Sequence, residues 1–165
     1  MDFIIDASSI INLDNGEAIE IATGLADHNL WVSPLVIGEC VPKSAAKLFD
    51  LKQNGVLYFI DPNDISSEIF LDLLVKYELG EGETECIALC LAKPFGFCCD
   101  DNKARQLGGQ LFGHSRVIGS IRLIKWCVNR RIISGAEAGT IYERMRTAGG
   151  FLPIVDPSWF RDGKD

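Results

Sequence analysis

Short apolar runs alternate with stretches of helical period along this chain, the signature of an α/β sheet. Residues 3–6 read as a strand that stops on Asp6 and a small-hydroxyl turn. Residues 16–26 read as a short helix, 30–33 as a second strand, and Ser33-Pro34 starts a helix running to about residue 53 that carries Glu39. Val56 to Ile60 is a third strand. Residues 64–78 are amphipathic, with Ile65, Ile69, Leu73 and Val75 expected to face inward, and Gly80-Glu81-Gly82 ends them. Residues 83–91 form an apolar helix, 96–100 a strand, and 102–107 a short helix stopped by Gly108-Gly109. Arg116-Val117-Ile118 is a last strand, followed by helices over 120–131 and 135–148. Gly149-Gly150 opens an irregular tail. With no Pro/Ser-rich linker and no repeat, the expectation is one domain over residues 1–151 and a tail over 152–165.

The acids recur where this pattern puts one edge of the sheet. Asp6 and Asp100 end strands. Glu39 sits on a helix after the second strand, and Glu81, Glu83 and Glu85 cluster at a helix start. Strand ends and helix starts meet at the ligand-binding edge of an open α/β sheet. Two like charges about 4 Å apart cost roughly 4 kcal/mol at an effective dielectric near 20. A pocket of carboxylates therefore calls for a cation, and hard oxygen ligands suit Mg2+ or Mn2+. Taken singly, each acid has a plainer reading: an N-cap or Asx turn for Asp6 and Asp100-Asp101, the helix dipole for the three glutamates. Ser8 and Ser120 are placed to hydrogen-bond a carboxylate or a substrate phosphate.

Composition narrows the alternatives. With 47% hydrophobic and 24% charged residues, the 165-residue chain has the makeup of a globular domain. No apolar run reaches the roughly 18 residues of a membrane helix, and the N-terminus lacks a basic signal-peptide region. The six cysteines form no Cys-x-x-Cys pair, so they read as core thiols of a cytoplasmic protein, not as zinc ligands. Net charge is −7, but residues 102–146 carry 9 Lys/Arg against Glu137 and Glu143. That block suits a phosphate backbone, with Arg105, Arg116 and Arg122 as candidate contacts. Gly-x-Ser-x-Gly elbows and Walker loops are absent from the chain.

Several stretches resemble one family. Ile4-Ile5-Asp6-Ala7-Ser8-Ser9 is similar to the opening Asp-x-Ser/Thr motif of PIN domains, and Val32-Ser33-Pro34 through Gly38-Glu39 to their second, helix-borne Glu motif. Gly82-Glu83-Thr84-Glu85-Cys86-Ile87-Ala88-Leu89 resembles a Gly-Glu-x-Glu signature of a prokaryotic PIN-like subfamily. Cys99-Asp100-Asp101-Asn102-Lys103-Ala104-Arg105 resembles the strand-end acid and its Ala-Arg helix, and Val117-Ile118-Gly119-Ser120 the Gly-Thr step, with Ser for Thr. The resemblance covers about residues 3–151 and implies a three-layer α/β/α sandwich with a central parallel sheet in the order 3-2-1-4-5. It implies Mg2+- or Mn2+-dependent RNA cleavage like that of VapC-type toxins, with a small antitoxin protein and a homodimer as expected partners. Asp6, Glu39, Glu83 and Asp100 are the implied metal ligands. Asp101 competes with Asp100, and Glu85 with Glu83, for those roles; Ser8, Glu85, Arg105, Arg116 and Ser120 are expected around the ligands or on substrate. The rival reading is a catalytically weak module of the same fold that acts by binding a protein. A phosphatase-like site lacks the Lys it would need near the last strand.

Overall fold

The computed structural model describes residues 1–161; positions 162–165 of the expected tail lie outside the described residues. Five strands form one all-parallel sheet: β1 (Phe3–Ile5), β2 (Leu30–Val32), β3 (Tyr58–Phe59), β4 (Gly96–Cys98) and β5 (Val117–Ile118). Their order is β3-β2-β1-β4-β5. Ile5 pairs with Cys98, and Phe3 with both Leu30 and Gly96, so β1 and β4 end side by side. The chain leaves β1 toward β2 and β3, then returns to its other side for β4 and β5. The gap between the ends of β1 and β4 is thus the topological switch point, where such sheets bind ligands.

Helices α1 (Ala7–Asn15), α2 (Ile19–Thr23), α8 (Ser120–Asn129) and α9 (Gly135–Thr147) pack together as one layer. Helices α5 (Ser67–Tyr77), α6 (Glu81–Ala92) and α7 (Asn102–Phe112) pack as the other, and α3 (Pro34–Glu39) and α4 (Pro42–Gln53) join α1 to α6. Covered on both faces, the strands are continuous apolar runs, and Phe3, Ile4, Ile5, Phe97 and Cys98 are all buried. The six cysteines are free, buried thiols. Among the described residues no helix is long and apolar enough to cross a membrane.

Four local expectations are corrected. The turn after Asp6 is a nine-residue helix, α1, held by burial of Ile10 and Leu13 despite its modest propensity. The single helix expected over 33–53 is two, because the ring of Pro42 keeps Val41 out of the helical region (ψ 151°) and Cys40 is extended as well. Helix α7 runs through Gly108-Gly109 instead of stopping there. A Cβ on Gly108 would lie 2.8 Å from Phe112, and one on Gly109 would overlap the His114 ring, so both glycines serve close packing. The stop is Gly113, at φ +96°. Val75 is 82% exposed, out of phase with Ile69 and Leu73, four apart on one face of α5, while Ile65 packs on the core from the extended backbone before the helix.

The segment after α9 returns over the domain. The Tyr142 hydroxyl donates to the Pro153 carbonyl (2.9 Å) and accepts from Val155 N–H (3.2 Å). A 3-10 turn at Pro157–Phe160 then buries Phe160 fully, its ring 5.6 Å from that of Tyr142.

Candidate metal centre

Asp6 directly follows β1 and caps α1. Its Oδ2 accepts from Ser8 N–H (3.0 Å), the Ser8 hydroxyl (2.6 Å) and the Cys99 thiol (3.4 Å). Its Oδ1 is buried and has no hydrogen-bond partner among the described residues. Leaving a buried charged oxygen unpaired costs at least about 1–3 kcal/mol.

Asp100 stands two residues past the end of β4. Its Oδ1 accepts from Ser120 N–H (2.8 Å), at the start of α8, and its Oδ2 from the Ser120 hydroxyl (2.5 Å) and Asn12 Nδ2 (2.8 Å). Ser8 joins the two strand ends, since its hydroxyl donates to Asp6 and accepts from Asp100 N–H (3.0 Å). Asn12 was not a sequence candidate. It stands four residues after Ser8, on the same face of α1, so recognising that helix would have found it.

Glu39 ends α3 and is exposed. Its Oε1 accepts from Gly82 N–H (2.9 Å), one of the unpaired donors at the start of α6. A Cβ on residue 82 would stand 2.7 Å from Glu39 Oε2, so only glycine lets the carboxylate sit there. Glu83, in the first turn of α6, accepts from Gly80 N–H (3.1 Å). Burial raises its pKa; the Gly80 bond works against this, and the charges of Asp6, Asp101 and Glu39 push the same way as burial. Asp101 caps α7 through Ala104 N–H (2.8 Å) and is half-exposed.

Glu83 and Glu85, two residues apart, cannot face the same way on a helix. Glu83 faces Asp6, Asp101 and Glu39. Glu85 is buried under α3, where its Oε2 accepts from Leu35 N–H (2.9 Å). Burial raises its pKa, the Ser33 hydroxyl and the Leu35 amide lower it, and Glu39 raises it.

The arginines divide. Arg105 Nη1 donates to the Cys99 carbonyl (3.3 Å), and a Cβ on Gly119 would touch both its guanidinium and Asp100 Oδ1, so Arg105 borders the acids. Arg116 corrects the sequence reading. Its guanidinium donates to the carbonyls of Cys90, Lys93 and Phe95, which closes the C-terminus of α6 at the opposite edge of the sheet. Its Nε and Nη2 donors are engaged there, away from the acids.

A cavity of about 320 Å³ opens beside Asp100, lined by Ser8, Asn12, Asp101, Gly150 and Phe151 among others. Among the described residues no three carboxylates close around one point. Glu39 and Glu83 are drawn back onto backbone N–H groups of α6, as mutual repulsion requires. The donor set nevertheless suits a hard divalent cation. Every side chain offers carboxylate oxygen, and the unpartnered Oδ1 of Asp6 has the position and charge to bind one.

A family model described as a PIN domain matches residues 2–154. No curated protein and no solved structure matches the chain.

Proposed function

Because the chain belongs to the PIN-domain family, whose members are commonly nucleases and generally use divalent metal ions, we propose that it is a Mg2+- or Mn2+-dependent endoribonuclease of the VapC-like toxin kind. The observation that supports this reading is the buried, unpartnered Oδ1 of Asp6 at the switch point, with Ser8 bonding both Asp6 and the backbone of Asp100 on the neighbouring strand end. Asp6, Glu39, Glu83 and Asp100 would hold the metal, with Asp101 at the rim. The ion would neutralise charge on a phosphodiester and lower the pKa of water. Ser8 fixes Asp6 by engaging Oδ2, which leaves Oδ1 for the cation. Ser120 of α8 and Asn12 of α1 orient Asp100 from two neighbouring helices of one layer. Glu83 keeps one oxygen free of the Gly80 N–H and would orient the attacking water from there.

A second reading has its own observation. Phe151, 94% exposed, and the exposed Ile154 lie on the segment bordering the cavity beside Asp100, and such apolar groups suit a small inhibitory protein or a second copy of the chain. The test is cleavage of a fluor-labelled RNA pool with Mg2+ or Mn2+, with EDTA, and by Asp6→Asn. Cleavage lost in both controls supports the nuclease. A folded wild-type protein that neither cleaves nor gains melting temperature with Mn2+ is a binding module instead.

A further inference from the structure

A second cavity, of about 590 Å³, lies along the free edge of the sheet beside β5. One end begins at Arg105 and Gly119, where Asp100 Oδ1 is in reach. The walls include Arg122 and Trp126 of α8 and Trp159 of the returning C-terminal segment. Although the chain has 23 Asp/Glu, no carboxylate lines this cavity among the described residues. Nor does Arg105 or Arg122 make an ion pair among them. Arg122 instead lies over the Trp159 indole, 5.6 Å from its centroid. The Trp159 ring is held in turn by Phe160 (5.0 Å, edge-on), which the core buries.

Two guanidiniums with no ion-pair partner among the described residues, one of them over an indole and the other beside the acids of the switch point, match a base with its phosphate. We propose that this cavity is a nucleotide subsite for single-stranded RNA, with the base against Trp159 and the backbone phosphate on Arg105 and Arg122. The proposal rests on the ribonuclease reading, and it adds where the strand goes after leaving the acids: along the edge of β5 and under the C-terminal segment. Single-stranded binders use this combination of aromatic platform and cationic groove.

The test is fluorescence-anisotropy binding of a short, labelled, mixed-sequence single-stranded RNA in EDTA, where cleavage plays no part. Trp159→Ala should weaken binding about tenfold or more, the loss of one base–aromatic stack, and Trp159→Phe should restore most of it. Arg122→Gln should weaken binding and reduce the dependence of log K on log salt by about one phosphate contact. Because Arg122 is half-exposed, that variant reports on the cavity even if loss of Trp159 disturbs the fold. Asp6→Asn should bind at least as well as wild type. No binding by the wild-type protein, or equal binding and an equal salt slope in Arg122→Gln, overturns the subsite. RNA bound but not cleaved under Mg2+ and Mn2+ would remove the nuclease reading and leave the subsite standing. RNA cleaved with unchanged affinity in every cavity variant would do the reverse.

Discussion

The ends of β1 and β4 are neighbours in the sheet, and each is followed by an aspartate, yet the two are treated differently. Every contact Asp100 needs is supplied by the protein: Ser120 twice, Asn12 once. Asp6 has three donors on one oxygen and none on the other. A satisfied buried carboxylate is a fixed post, whereas a half-satisfied one stores a cost that an arriving cation removes. On the proposed function, the pair makes an asymmetric site, with one acid set rigidly and its neighbour left incomplete.

Breaking the incomplete acid should have the largest effect. Asp6→Asn keeps an oxygen for the α1 cap and removes a buried charge. Cleavage should fall by more than about a hundredfold, beyond the 10–100-fold typical of residues that only support a ligand. Stability in EDTA should be unchanged or higher, and the melting-temperature rise with Mn2+ should vanish. Denaturant melts and calorimetry check both; clear destabilisation without metal would mean that Oδ1 has a partner after all.

Breaking the satisfied acid should give the opposite balance. Ser120→Ala removes one donor to Asp100, the hydroxyl, and leaves the backbone N–H in place. Stability should drop about 1.5–3 kcal/mol, the value of a hydrogen bond to a charged group, and activity about 10–100-fold. Urea unfolding beside a cleavage assay separates the two readouts. Gly82→Ala sharpens the contrast from the glutamate side. It should gain up to about 1 kcal/mol of helix propensity, yet push Glu39 off its seat and cut cleavage about tenfold. Unaltered cleavage would take Glu39 out of the site.

The smallest effect comes from an acid on the same helix as Ser8 and Asn12 but outside the cluster. Asp14 of α1 accepts from Ser44 (2.5 Å) and pairs with Lys47, both on α4. Burial raises its pKa, but Lys47 and Ser44 outweigh burial and hold it below the ordinary 3.8. A depressed folded-state pKa contributes stability above the unfolded value that disappears as pH falls through the folded one. Asp14→Asn should therefore cost about 1 kcal/mol at neutral pH, with the gap to wild type closing below about pH 4 and cleavage unaffected. A gap that persists in acid would show that charge was not the cause.

How much of this could be read from residues alone follows from what each signal depends on. Strands ending on Asp6 and near Asp100 are a signal of short apolar runs, visible without tertiary contacts, whereas their meeting side by side followed from the strand order that the family resemblance implied. The ambiguity between Glu83 and Glu85 needed the rotation of α6, set by its packing on α3. Asn12 was hidden because Ser8, Ser9, Ile10 and Ile11 are poor helix formers that only burial makes helical. Gly108-Gly109 had the composition of a stop, but their use depends on Phe97, Phe112 and His114, which no local rule brings near. Arg116 lay in the right basic block and on the wrong edge of the sheet.

The Tyr142 clasp has a consequence in time. A growing polypeptide carries Asp6, Glu39, Glu83 and Asp100 well before it carries Pro153, Trp159 or Phe160. Chains fold from the N-terminal side as they are made. The acid centre can therefore assemble while the segment that Tyr142 fastens, with Trp159 on it, is still to come. On the proposed subsite, a nascent chain would carry the acids before the segment that grips RNA.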